Sequence, residues 1–139
     1  PVTLIVGAQE LAQNQVTAVL RYNKSKTTLP LTSLAQQVTE LLTTIQTEMF
    51  AKAQAQTADL TFEANSYEQF KEIMNTTRGF IRAFWCEEAS CETHIKEETK
   101  ASTRCLPFTD NSGAVAEESG VCVKCGKPAT HRWLFAQAY

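Results

Sequence analysis

Four of the five cysteines fall into two short pairs, Cys86 with Cys91 and Cys122 with Cys125. The second pair is a C-x-x-C, a turn that aims two sulfurs at one point through backbone geometry alone. Gly126 follows directly and suits the tight turn such a knuckle needs. Four thiolates fill a tetrahedron around zinc and leave no open position, so the expected site is structural. Thiol redox chemistry and disulfides are the alternative uses of these residues. A redox C-x-x-C normally opens a helix, whereas Gly126 and Pro128 here oppose one. The fifth thiol, Cys105, lies in a strand-like run and reads as a buried core cysteine. His94 and His131 are the remaining soft donors, and with four thiols available both read as non-ligands.

Other chemistry is sparse. The acids Glu87, Glu88, Glu92, Glu97 and Glu98, interspersed with Lys96 and Lys100, read as a solvated helix face. No Gly-rich phosphate loop or nucleophile motif is present. Arg21, Lys24 and Lys26 form a basic hairpin tip, and Lys124, Lys127 and Arg132 a second cluster beside the C-x-x-C. Either suits a phosphate contact, with ordinary surface charge as the equal alternative. Phe84 and Trp85, just before Cys86, read as packing beneath the knuckle.

The chain has 139 residues and a net charge of −2, room for one ordinary domain or two small ones, with no global attraction to nucleic acid. No apolar run reaches the roughly 20 residues of a membrane helix, and no secretory signal is evident. With an odd cysteine count, this makes the cytoplasm the expected compartment. The start at Pro1, without Met and inside a strand-like run, reads as a piece of a longer protein.

Pro1 to Val6 and Val16 to Tyr22 have strand character, joined through Asn23 to Lys26 to an extended piece ending at Pro30. From Ser33 the apolar period becomes helical: Leu34, Val38, Leu41, Leu42, Ile45, Met49 and Ala53 share a stripe, with Ser33 and Gln36 at capping-box spacing. That helix is expected to reach about Ala55, and the segment from Ala58 to Asn65 to be a connector. Ser66 and Gln69 again suit a capping box before a short helix burying Phe70, Ile73 and Met74, stopped by Gly79. Phe80 to Trp85 is a strand, Ala89 to Thr99 a helix, Ser102 to Phe108 a strand, Asp110 to Gly120 a loop and His131 to Tyr139 a terminal strand. The fold class is α+β or α/β: a truncated α/β segment over 1–57, then a small α+β domain over 58–139.

The succession Gly79-Phe-Ile-Arg-Ala-Phe-Trp-Cys-Glu-Glu-Ala-Ser-Cys-Glu, Ile95-Lys-Glu-Glu-Thr, Ser102-Thr-Arg-Cys-Leu-Pro-Phe, Cys122-Val-Lys-Cys-Gly-Lys-Pro-Ala and Leu134-Phe-Ala-Gln-Ala-Tyr139 closely resembles one family. It is the C-terminal zinc-binding domain of archaeal/eukaryotic-type prolyl-tRNA synthetases. The likeness spans about Phe62 to Tyr139, and the first 57 residues resemble the end of the anticodon-binding domain that precedes it.

This resemblance implies a class II parent enzyme, a homodimer, that charges tRNA with proline using ATP and Mg²⁺. Those sites would lie in a catalytic domain outside this chain, leaving the piece itself inactive. In the family, the cysteines matching Cys86, Cys91, Cys122 and Cys125 bind zinc and the one matching Cys105 does not. The C-terminal carboxylate, here of Tyr139, would reach toward the catalytic domain. Where the family has Pro-Arg-Asp, this chain has Ala8-Gln9-Glu10, so Arg21, with Lys24 and Lys26, is left to face tRNA. The competing hypothesis is a stand-alone zinc-knuckle module that binds RNA or protein.

Overall fold

The computed structural model describes residues 1–109 and 112–138; the start of the loop expected from Asp110, and Tyr139, lie outside the described residues. The chain is a mixed α+β protein of two compact units, Pro1–Gln56 and Thr57–Tyr139. No described helix is long and apolar enough to cross a membrane.

In the first unit, strand β1 (Val2–Ile5) leads through Gly7 into a short helix α1 (Ala8–Ala12), then strands β2 (Gln15–Leu20) and β3 (Lys26–Pro30). They form an antiparallel sheet in the order β1-β2-β3. Alternation along β2 is strict: Val16, Ala18 and Leu20 are buried, and the residues between them are half-buried. A 3₁₀ turn (Leu31–Ser33) then opens helix α2 (Leu34–Asp59), four residues longer than its apolar stripe suggested. Val16, Ala18 and Leu29 form the core, and Leu34, Val38 and Leu41 pack against it. Farther along, Ile45 is buried, but Leu42 and Met49 are exposed. The expected stripe is thus covered over its N-terminal half, where the small sheet reaches. Ser33 lies in the 3₁₀ turn, and its hydroxyl accepts from the Gln37 side chain, so the Ser33–Gln36 box does not form.

In the second unit the expected connector contains strand β4 (Thr61–Glu63). It pairs in parallel with β5 (Phe80–Phe84) across helix α3 (Tyr67–Thr76). Ser66 caps α3 by accepting from Gln69 N–H at 3.2 Å. The Gln69 side chain reaches back one residue further than in a standard box, accepting from Asn65 N–H at 3.0 Å. After α3 it is Arg78, at φ +56°, that turns the chain. Gly79 serves close approach instead: a Cβ there would lie 2.2 Å from the Leu60 carbonyl oxygen, which accepts from Phe80 N–H.

Helix α4 (Ala89–Thr99) and strand β6 (Ala101–Cys105) follow, then the two-residue strands β7 (Gly120–Val121) and β8 (Pro128–Ala129), and finally β9 (Arg132–Gln137). The main sheet runs β4-β5-β9-β6, with β9 antiparallel to both neighbours. Phe70 and Met74 of α3, Ile95 of α4, and Ile81, Ala83 and Phe135 of the sheet build one core. Phe70 meets Phe135 edge-on at 5.3 Å between ring centroids. Cys91 and Cys122 belong to this same core.

A four-thiol candidate metal centre

Strand β5 delivers the first cysteine. Phe84 and Trp85 are buried, and Trp85 packs edge-on to Trp133 at 5.1 Å, so these aromatics lie beneath the knuckle as expected. Beyond Cys86 the chain reverses at Glu87, a non-glycine residue at φ +60°. It enters α4, which carries Cys91 in its first turn.

The opposing pair comes from the β7–β8 hairpin, whose register sets Gly120 against Ala129 and Val121 against Pro128. Cys122 N–H donates to the Lys127 carbonyl at 2.8 Å, and Gly126 N–H donates to the Cys122 carbonyl at 2.9 Å. Gly126 takes φ +73°, the left-handed conformation expected of it. Val123 N–H donates to the Phe84 carbonyl at 2.9 Å, joining the two cysteine-bearing segments. Gly120 makes this junction possible, because a Cβ there would come within 2.4 Å of the Phe84 ring.

The four sulfurs of Cys86, Cys91, Cys122 and Cys125 all lie within 4.8 Å of one another and could hold a metal ion. Cys91 and Cys122 sulfurs are 3.7 Å apart, and those of Cys86 and Cys125 are 3.6 Å apart. Metal–sulfur bonds of about 2.3 Å arranged as a tetrahedron give sulfur–sulfur edges of about 3.8 Å. A disulfide would need about 2.05 Å, and all five cysteines are free thiols. A compact four-sulfur donor set suits zinc or iron.

Burial and hydrogen bonding act on these thiols in opposite directions. Burial, reinforced by the neighbouring thiols, pushes the Cys91 thiol well up, and burial raises Cys86. Burial also pushes on Cys122, but backbone hydrogen bonds from Cys125, Lys124 and Cys86 outweigh it and bring the thiol to about 7. Amides that stabilise a thiolate are the surroundings a metal-bound sulfur needs.

The remaining expectations divide. Cys105 is exposed, not buried: it ends β6 at the sheet edge, beyond a register shift between Thr103 and Cys105. His94 is exposed, as read from the sequence, and lines a cavity of about 260 Å³ beside Cys86, Cys91 and Cys125. The acids of the α4 region are more than a solvated face. Glu87 accepts from Trp133 Nε1 and sits against His131 Nδ1, both at 3.1 Å. Glu92 accepts from Thr103 N–H at 3.1 Å. Glu88 pairs with Lys127 at 3.0 Å and Glu98 with Lys124 at 2.5 Å.

Those pairings also take up the second basic cluster. Lys124 and Lys127 are committed to α4-region acids, and Arg132 pairs with Glu118 at 3.1 Å. Among the described residues, each of these three basic side chains of the knuckle thus has a carboxylate partner. Sequence spacing gave no signal for these partners because each pair is 26 or more residues apart, Arg132–Glu118 excepted. Arg21, Lys24 and Lys26 lie on the other unit, exposed around the β2–β3 turn, with Lys24 at φ +62°. Among the described residues no ion pair engages them.

Comparison with known proteins agrees with this site. The chain is 37% identical over 139 residues to the proline–tRNA ligase of Lachnospira eligens, covering 100% of this chain and 28% of that protein. It is 40% identical over 139 residues to the proline–tRNA ligase of Cytophaga hutchinsonii, covering 100% of this chain and 27% of that one. Against proline–tRNA ligase 2 of Bacillus cereus the identity is 37%, with 100% of this chain and 28% of the relative covered. The chain thus spans little more than a quarter of the length of these relatives. The family model for the prolyl-tRNA synthetase C-terminal domain matches residues 67–139, which include all four clustered cysteines. With that match over more than half of its length, and over the part that builds the four-thiol cluster, the chain belongs to the prolyl-tRNA synthetase C-terminal family.

Proposed function

We propose that this chain is the C-terminal portion of a cytoplasmic class II proline–tRNA ligase. In this reading, residues 1–57 end the anticodon-binding domain and residues 58–139 form a zinc-binding domain. The carrying observation is the four-sulfur cluster, whose edges of 3.6 and 3.7 Å suit tetrahedral zinc. Cys86, Cys91, Cys122 and Cys125 would hold the ion. Zinc bound by four thiolates supplies folding energy and no Lewis-acid chemistry, because no coordination position is open. Held by these residues, the ion would tie the end of β5, the start of α4 and the β7–β8 hairpin, which the Val123 N–H to Phe84 carbonyl bond also links in part.

The whole enzyme activates proline with ATP and Mg²⁺ and transfers it to tRNA, as a homodimer. Those reactions belong to a catalytic domain that these residues do not form. Arg21, Lys24 and Lys26 supply the tRNA-facing charge, supported by their exposure and lack of carboxylate partners among the described residues. The Tyr139 carboxylate is assigned to the catalytic-domain side. Relatives matched along the whole chain weigh against a stand-alone zinc-knuckle module.

The test is direct. The coding sequence upstream of the Pro1 codon should encode class II synthetase motifs. Proline-dependent ATP–pyrophosphate exchange should require that upstream part and be absent from residues 1–139 alone. Exchange by this chain alone, or an upstream frame without such motifs, would contradict the proposal.

A further inference from the structure

We propose that the Cys86–Cys125 half of the four-thiol site is a hydroperoxide-sensitive modification site, whose oxidation to a disulfide releases the bound metal. The inference rests on the metal-site reading above and adds to it a chemistry for two particular sulfurs. The observation behind it is an asymmetry. Cys91 and Cys122 are 6% and 2% exposed and belong to the domain core. Cys125 is exposed and Cys86 half-buried. The cavity of about 260 Å³ that opens beside the site is lined by Cys86, Cys91, His94, Lys124, Cys125 and Lys127.

A small oxidant therefore meets Cys125 first. The Cys86 sulfur lies 3.6 Å from it, across the two knuckles. Bonding requires the sulfurs to close by about 1.6 Å to reach disulfide length. Rotation about the side-chain bonds of exposed Cys125 supplies such movement more readily than repacking of buried Cys91 and Cys122. Lys127 pairs with Glu88, at 58% and 50% side-chain exposure, so this lining yields without opening the core.

The chemistry balances with a hydroperoxide as the named oxidant. The Cys125 thiolate attacks one peroxide oxygen, the O–O bond breaks, and the departing oxygen takes a proton and leaves as water or alcohol. Cys125 becomes a sulfenic acid. The Cys86 thiolate then attacks that sulfur, the S–S bond forms, the S–O bond breaks, and the hydroxide leaves as water with a second proton. Two thiolates have lost two electrons to one peroxide. Only Cys91 and Cys122 then remain as donors, too few to retain zinc.

The test uses the 139-residue chain purified under reducing conditions and then freed of reductant. Metal content is measured first; absence of zinc at this stage would refute the metal-site reading and, with it, this inference. With zinc present, titration with hydrogen peroxide in a chromogenic chelator should release about one zinc per peroxide consumed. The protein mass should fall by the two hydrogens of one disulfide, and peptide mapping should place it between Cys86 and Cys125. Thiol reductant plus zinc should restore the starting protein. Cys105→Ser, which removes the exposed thiol outside the site, should leave release unchanged. Zinc retained through excess peroxide, a first disulfide between Cys91 and Cys122, or release abolished by Cys105→Ser would each overturn the inference while leaving the metal-site reading intact.

Discussion

The junction between Gly120 and Phe84 offers a sharp test of how the hairpin bearing Cys122 and Cys125 is held. A methyl group at position 120 would lie 2.4, 2.5 and 2.5 Å from three carbons of the Phe84 ring. That ring cannot swing aside freely, since Phe84 is 8% exposed and its face is covered by the Arg132 guanidinium at 4.2 Å. Gly120→Ala should therefore destabilise the second unit by about 1–3 kcal/mol through overpacking. For a unit of this size each kcal/mol lowers Tm by roughly 4–8 °C. The hairpin must also shift relative to the Phe84 carbonyl that accepts from Val123, so zinc affinity should fall with stability. Thermal melts by circular dichroism and chelator competition read the two effects separately. Shortening the ring in Phe84→Leu/Gly120→Ala should recover most of the added cost, giving a coupling of about 1 kcal/mol or more in a double-mutant cycle. If Gly120→Ala costs the same in both backgrounds, the Phe84 contact is not what requires glycine, and the reasoning fails.

Removing the Glu87 carboxylate with Glu87→Ala deletes acceptors for Trp133 Nε1 and His131 and keeps the strained turn, so a loss of about 1–3 kcal/mol is expected in thermal or denaturant unfolding. Glu98 is held below the ordinary carboxylate range by its hydrogen bond from Lys124. A lowered folded-state value gives stability that is full above the unfolded-state value and lost as pH falls through the folded one. The small Tm difference between wild type and Glu98→Gln should accordingly disappear in acid, below the ordinary carboxylate range. Cys122→Ser should abolish stoichiometric zinc binding and lower Tm, whereas Cys105→Ser should change neither, as read by metal analysis and melting.

Much of this architecture is visible in local sequence because local physics decides it. The Ser66 cap, the β-branched and aromatic run of β5, the helix from Ala89 to Thr99 and the Cys122–Cys125 turn all need only neighbours within a few residues. What escaped notice is non-local or too short to carry a period. Strand β4 has three residues and exists because the Leu60 carbonyl meets Phe80 across Gly79. Strands β7 and β8 have two residues each and are defined by pairing with one another. The exposure of Cys105 follows from a register shift that composition does not encode. The apolar stripe of α2 continues past the sheet that covers it, so Met49 reads as core yet is 51% exposed. The acids at the two ends of α4 look like solvent-facing charge until the knuckle's lysines are brought across to Glu88 and Glu98.

The central claim is that four thiolates, and nothing else, close a structural zinc site. Zinc K-edge X-ray absorption on the purified 139-residue chain, with metal content measured on the same sample, tests it most directly. About one zinc per chain is expected, surrounded by four sulfurs at about 2.3 Å. A shell containing nitrogen or oxygen, or a well-folded chain that takes up no zinc, would contradict it.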